Sequence, residues 1–263
     1  MVVSMKAKIL ENTQILPQFY LLRLVAPEIA NKAVPGQFVM VKVSQNLDPF
    51  LKRPISLHRI NKESGTIELL YQVIGKGTSN LSLMSQGELE IIGPLGNGFS
   101  WEENHKRVAL IGGGCGIAPL LALGEELVKQ GKEVHVLLGA QTKEKLLNEV
   151  EFKKLGCHVQ VATDDGSYGK KGFVTEIFKD LLLTTTLDQI YCCGPFPMTK
   201  DVIKITQENN IPCQVSLEER MACGVGACLG CVCETRSNEG NLAYQRVCHD
   251  GPVFDGDELV TSH

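Results

Sequence analysis

The chain has 263 residues, 43% apolar and 21% charged, the composition of a folded globular protein long enough to bury a sizeable core. Its 26 Lys and Arg against 30 Asp and Glu leave a formal net charge of -4, which offers no electrostatic attraction for nucleic acid or an anionic membrane. No apolar run reaches the roughly 18 residues a spanning helix needs, and the opening MVVSMKAKILENTQ carries charges where a signal peptide requires its apolar region. A cytoplasmic location is therefore expected, and in that reducing compartment ten cysteines point to metal or redox chemistry rather than disulfides.

The first hundred residues read as short strands between turns. FYLLRLVAP, GQFVMVKV, PISLHRI, TIELLYQVIG and ELEIIGPLG are rich in β-branched and aromatic residues, with TSNLSLM as a single short helix among them. Many short strands without long helices predict an antiparallel β-barrel or sandwich. After Trp101 the pattern changes. RVALIGG is a continuous apolar run suited to a strand buried on both faces, and APLLALGEELVKQG has helical spacing closed by glycine. EVHVLLG, KEKLLNEVEFKKLG, HVQVATDDG, FVTEIFKDLL, QIYCCG and MTKDVIKITQENN continue the strand–helix alternation, which predicts a doubly wound parallel sheet. From about Val215 the periodicity fades into a cysteine-rich tail. The expected organisation is multidomain: a β-barrel over 1–101, an α/β domain over 102–214 and a small domain over 215–263.

The tail carries the most specific signal. Cys223, Cys228 and Cys231 stand with gaps of four and two residues, and Cys248 follows after sixteen more. This is the plant-type ferredoxin spacing for a two-iron, two-sulfur (2Fe-2S) cluster, whereas zinc sites favour two ligand pairs with short internal gaps. Gly224, Gly226 and Gly230 let the backbone wrap the cluster with N–H groups facing sulfur. Cys233 reads as packing on a strand leaving the loop. Cys115, Cys157, Cys192, Cys193 and Cys213 lie in apolar or glycine-rich surroundings and read as small buried hydrophobes.

Weaker signals precede the tail. GGGCGIAPL, residues 112–120, joins a buried strand to a helix through glycines that suit an approaching phosphate, but Ile117 or Pro119 stands where the dinucleotide fingerprint needs its third glycine. A tight turn needs glycine with or without a ligand. In RPISLHR, Arg53 and Ser56 suit a phosphate, and equally a solvated strand face. Gly77 and Thr78, in LYQVIGKGTSNL, begin a helix whose N–H groups suit a pyrophosphate. YCCGPFPM closes the last strand at the edge where open α/β sheets bind ligands, or is an ordinary turn. Asp164 and Asp165 in TDDGS are surface turn residues or acceptors for ribose hydroxyls that disfavour an extra 2′-phosphate.

The order of these parts resembles the ferredoxin–NADP reductase superfamily, and with CGVGACLGCVCE and Cys248 the whole chain is similar to the electron-transfer subunits of two-component, NAD-dependent dihydroorotate dehydrogenases. The resemblance implies FAD held by Arg53, Pro54, Ile55, Ser56, Leu70, Tyr71, Gln72, Gly77 and Thr78, with Ile55 standing where the family commonly has tyrosine. It implies NAD as co-substrate at Gly112, Gly113, Gly114, Gly116 and Gly194, and cluster ligation by Cys223, Cys228, Cys231 and Cys248. It also implies an FMN-containing catalytic partner subunit, two copies of each in a heterotetramer, with electrons from dihydroorotate passing through the cluster and FAD to NAD. No general acid or base is expected in this chain, and His58 and His135 read as half-buried packing residues. Two other readings remain: a small subunit of the same plan in a transhydrogenase or sulfide dehydrogenase, and a non-catalytic zinc or redox-sensing interaction module.

Overall fold

The computed structural model describes residues 2–44, 46–236 and 240–260. Six strands, β1 (Val3–Leu16), β2 (Phe19–Val25), β3 (Phe38–Val41), β4 (Arg53–Asn61), β5 (Thr66–Gln72) and β6 (Glu88–Leu95), close into an antiparallel barrel of order β1-β2-β5-β4-β3-β6. Two short helices, α1 (Pro27–Lys32) and α2 (Lys76–Ser82), connect them. Alternation along the strands fills the interior with Leu22, Leu24, Val39, Val41, Ile55, Leu57, Ile67, Leu69, Tyr71 and Ile91. β1 has no counterpart among the expected strands. Its fully buried positions are Ala7 and Ile9, set among lysines and other polar residues that face solvent, so it lacks the apolar density of its neighbours.

The second layer system is a seven-stranded sheet. β7 (Arg107–Gly113), β8 (Glu133–Ala140), β9 (His158–Thr163), β10 (Lys170–Lys171), β11 (Gln189–Cys193), β12 (Cys213–Ser216) and a late strand, Val253–Asp255, lie in the order β10-β9-β8-β7-β11-β12 followed by the late strand. All pair in parallel except the late strand, which runs antiparallel to β12. Helices α3 (Ala118–Lys129), α4 (Glu149–Lys154), α5 (Val174–Thr184) and α6 (Phe196–Glu208) cover the faces. β7 is buried on both sides from Val108 to Gly113, which accounts for its unbroken apolar run. The helix expected over 143–156 is shorter: a 3₁₀ turn occupies Lys143–Lys145, Asn148 sits at φ 62°, and α4 begins only after it.

The tail contributes the hairpin β13 (Val232–Arg236) and β14 (Leu242–Arg246), and then the late strand, β15 (Val253–Asp255). The expected division after residue 214 therefore falls inside β12, and the chain returns to the same sheet through β15. Phe38, Met40 and Leu95 of the barrel form one apolar cluster with Cys231, Val247, Cys248 and Phe254 of the tail. The barrel meets the α/β unit elsewhere, where Phe19 and Leu70 join the core beneath α3. There the His58 ring lies 3.0 Å by Nδ1 from the Ala118 carbonyl, and Arg59 pairs with Glu125 at 2.5 Å, Glu151 at 3.2 Å and buried Glu68 at 3.3 Å. Among the described residues, no helix is long and apolar enough to cross a membrane.

Candidate functional site

The loop between β12 and β13 carries three cysteines, and the turn after β14 carries the fourth. Gly224 and Gly226 take positive φ, and a Cβ on Gly224 would collide with the Met40 side chain on β3, so the loop lies directly against the barrel wall. Backbone N–H groups face the sulfurs: Val225 to Cys223 at 3.4 Å, Gly226 to Cys248 at 3.1 Å, Gly230 to Cys228 at 3.4 Å and Cys248 to Cys231 at 3.4 Å.

The thiols stand two by two. Cys223 and Cys228 interact with each other on the open side, and Cys231 and Cys248, each 2% exposed, interact on the barrel side. Against a desolvation effect that would raise it, the N–H of Val225, the N–H of Cys228 and the neighbouring thiol bring Cys223 down to a pKa of about 6. Burial, and then the Cys231 thiol beside it, push Cys248 up. No three of these side chains, nor any other His, Cys, Asp or Glu among the described residues, converge as a single ion requires. Two thiolates per metal, with N–H donors aimed at sulfur, is the donor set of a two-iron cluster, and the residues fit that group. Cys233 lies on β13, half-buried against the same apolar cluster, as packing.

The segments expected to hold FAD divide in two. Register partners share a face, so Pro54 and Ser56 on β4 stand beside Met40 and Phe38 on the outside of the barrel. Arg53, at the end of that strand, turns onto the start of α2, where a Cβ on Gly77 would lie 2.5 Å from its Nε. The guanidinium and the first N–H groups of α2, which have no intrahelical partner, thus share one spot. Ile55 and Tyr71 point the other way, into the barrel core at 6% and 3% exposure. The Tyr71 hydroxyl donates to Asn12 Oδ1 at 3.0 Å, and burial raises its pKa to about 12. Leu70 is buried under α3, Gln72 is half-buried at the strand's end, and the Thr78 hydroxyl accepts from the N–H groups of Ile74 and Gly75 within its own turn.

The glycines expected to face NAD are brought together. β7 and β11 are neighbours, and the strand order reverses between them, which makes the crevice at their C-terminal ends the ligand position of an open α/β sheet. Gly112 and Gly113 end β7, and Gly114 and Gly116 continue into the turn before α3. A Cβ on Gly116 would lie 2.5 Å from the Gly194 Cα and 2.6 Å from the Cys193 carbonyl oxygen. Cys115 departs from the reading of a buried hydrophobe: it is only partly covered, and its thiol points at the Leu70 carbonyl 3.9 Å away. The other isolated cysteines, Cys157, Cys192, Cys193 and Cys213, are buried. Asp165 accepts from the Ser167 hydroxyl and N–H, which hold its carboxyl low, so it is engaged in its own turn, with Asp164 exposed beside it.

Two residues near these sites lie outside the sequence expectations. Met40 separates Gly224 from Pro54 and looks like any barrel residue in the sequence. Glu218, on the linker after β12, is charge-coupled to both Cys115 and Cys193, and desolvation raises its pKa although the residue as a whole is exposed. SLEER carries no spacing that would single it out. His58 is 3% exposed, and burial lowers its pKa to about 4, so it is a neutral packing residue, and His135 is likewise buried and lowered by desolvation.

A barrel, a switch-point crevice and a four-thiol cage on one frame define a flavin-dependent, NAD-linked iron–sulfur oxidoreductase of the ferredoxin reductase plan. Residues 110–204 match the oxidoreductase NAD-binding domain, and residues 218–260 match the iron–sulfur cluster binding domain of dihydroorotate dehydrogenase B. The chain is 42% identical over 255 residues, 97% of each chain, to the dihydroorotate dehydrogenase B (NAD(+)) electron transfer subunit of Desulforamulus reducens. It is 44% identical over 258 residues, 98% of each chain, to that of Caldanaerobacter subterraneus. It belongs to the family of dihydroorotate dehydrogenase B (NAD(+)) electron transfer subunits. Among solved structures, an NADH-dependent reduced ferredoxin-NADP oxidoreductase studied for flavin-based electron bifurcation superposes with a TM-score of 0.85 at 32% identity, over 97% of this chain and 89% of that one. A ferredoxin NADP+ reductase from Neisseria gonorrhoeae shares the fold at a TM-score of 0.66 and 21% identity, over 78% of this chain and 91% of that one.

Proposed function

We propose that this chain carries electrons from an FMN-containing, dihydroorotate-oxidising partner subunit to NAD, as two copies of each subunit in a cytoplasmic heterotetramer. The observation that carries the reading is the stacking of cage on barrel wall: Gly224 rests on Met40, and Met40 is the register partner of Pro54, one strand spacing of about 4.8 Å away. The cage and the outer face of β4 are thus separated by a single strand.

Cys223, Cys228, Cys231 and Cys248 would hold the 2Fe-2S cluster, and Arg53, Pro54, Ser56 and Gly77 would hold FAD. The crevice of Gly112, Gly113, Gly114, Gly116 and Gly194 would take NAD. When bound, FAD supplies the exchange between electron pairs, which NAD takes, and single electrons, which an iron–sulfur centre takes. The chain's own residues bind and shield. Arg53 offsets phosphate charge at the start of α2, and the N–H groups of Val225, Gly226 and Gly230 offset thiolate charge. His58, neutral and directed at the Ala118 carbonyl, holds barrel to α3 and takes no part as an acid or base. In functional terms the division is 1–101 for the flavin, 102–214 for the nicotinamide and 215–263 for the cluster, with β12 shared between the last two.

The likeness to the bifurcating oxidoreductase supports a second reading, a subunit of the same plan serving another partner. The higher identities to dihydroorotate dehydrogenase subunits favour the first. The test is anaerobic co-purification with the partner, cofactor quantification and dihydroorotate-dependent NAD reduction. Cys228→Ser should abolish that reaction and the iron–sulfur absorption while NADH oxidation by an artificial acceptor survives. Partner-dependent NAD reduction at an unaltered rate in Cys228→Ser would overturn the assignment.

A further inference from the structure

The two halves of the thiol cage come from different parts of the tail, and one side chain ties them. Arg246, the last residue of β14, donates from Nε to Asp250 Oδ2 and from Nη2 to Asp250 Oδ1, both at 2.9 Å. Its backbone N–H also donates to Asp250 Oδ2, at 2.8 Å. Its remaining guanidinium nitrogen, Nη1, donates to the Gly226 carbonyl at 3.1 Å. Gly226 lies between Cys223 and Cys228, and its own N–H faces Cys248 Sγ. Asp250 is itself held to the barrel. Asn97, just beyond β6, donates from Nδ2 to the Asp250 carbonyl at 2.8 Å and from its backbone N–H to the Gly251 carbonyl at 2.6 Å.

A continuous run of contacts therefore leads from the barrel through Asn97, Asp250 and Arg246 to the glycine-rich loop on the open side. The cation in that run also lies close to the buried thiols: Arg246 precedes Cys248 by two residues, and its register partner Val232 directly follows Cys231. A bidentate fork on one carboxylate, with a further N–H on a loop carbonyl, needs guanidinium geometry, which an ammonium lacks.

Resting on the cluster assignment above, we propose that Arg246 is the positioning residue of the cage: its fork clamps the Cys223–Cys228 loop to the Cys248 turn, and its charge beside Cys231 and Cys248 raises the reduction potential of the cluster. A fixed cation favours the more negative, reduced form of a neighbouring centre, so its removal lowers the potential.

The experiment compares the unaltered holo-subunit, in complex with its partner, with Arg246→Met, Arg246→Lys and Asp250→Asn. Iron, acid-labile sulfide and flavin are quantified, and the cluster is titrated redox-potentiometrically with electron paramagnetic resonance detection. Arg246→Met should shift the reduced-to-oxidised ratio at fixed poise about tenfold toward oxidised, about 59 mV for a one-electron centre. Arg246→Lys should keep the potential but release sulfide to a chelator faster. Asp250→Asn, which removes the anion paired with Arg246, should also release sulfide faster while moving the potential upward, opposite to Arg246→Met. Loss of the cluster from Arg246→Met with flavin content intact, whether or not Arg246→Lys keeps it, also supports the clamp. Full cluster content, unchanged potential and unchanged line shape in Arg246→Met would overturn the proposal. If the unaltered protein lacks labile sulfide, the cluster assignment falls and the Arg246 role falls with it. If the unaltered protein carries the cluster and Arg246→Met matches it in content, potential and line shape, the Arg246 role falls alone.

Discussion

The cage loop and the turn after β7 are both glycine-rich, yet they work by opposite means. In the cage, glycines clear the way for side chains: the four thiols do the binding, and Gly224 and Gly226 let the loop lie on Met40 and the His249 side chain. In the turn after β7, the absence of side chains is itself the feature, because Gly116 and Gly194 bring two backbone segments into contact at the switch point. A site made of reactive side chains announces itself through residue type and spacing. A site made of bare backbone becomes specific only once the strands on either side are in place.

Substitutions at the two loops sharpen this contrast. Gly224→Val forces a β-branched residue into positive φ, about 1–2 kcal/mol, and pushes it into Met40, a further 1–3 or so. The expected result is loss of most iron and labile sulfide with flavin retained, and partial recovery in the double variant with Met40→Ala. Unimpaired cluster content would break the comparison. Gly116→Val should do the reverse. Its Cβ meets the backbone of Cys193 and Gly194, which cannot swing aside, so about 1–3 kcal/mol is lost at the crevice. The KM for NADH should then rise about 10- to 100-fold, with iron and flavin contents normal.

A third prediction concerns the seam between barrel and α/β unit. His58 has its folded pKa lowered from 6.5 to about 4 by burial, so the unfolded chain binds the extra proton first. The associated stability is complete above about pH 6.5 and declines as pH falls toward 4, by about 3 kcal/mol in all. Denaturant titrations between those pH values should show this slope, and His58→Gln should flatten it. The smallest effect is expected at Thr78. Thr78→Ala removes the acceptor for Ile74 and Gly75 and should cost about 1 kcal/mol of unfolding free energy while leaving flavin affinity nearly unchanged.

Barrel, parallel sheet and cage were all legible as patterns, and what escaped did so for identifiable reasons. β1 is amphipathic with a thin buried row, so strand density alone passes over it. The helical spacing in 143–156 is real, but Asn148 in the left-handed region confines the helix to its second half. β15 is only three residues long and owes its existence to β12. At the flavin segments, motif position implied contacts for Ile55 and Tyr71, whereas strand parity sends both side chains into the barrel. Met40 gains its meaning from Pro54 and Gly224, Asn97 from the Asp250 carbonyl, and Arg246 from the Asp250 carboxylate and the Gly226 carbonyl, information that residue type does not carry.

The late strand β15 has a mechanical consequence. Because the polypeptide leaves the nicotinamide-side sheet at β12 and re-enters it at β15, the iron–sulfur module is riveted at both ends to one sheet while its apolar underside is welded to the barrel. Any hinge between the two large units would have to tear one of those joints, so the spacing between the thiol cage, the outer face of β4 and the switch-point crevice is built in as a fixed length rather than regained on each turnover.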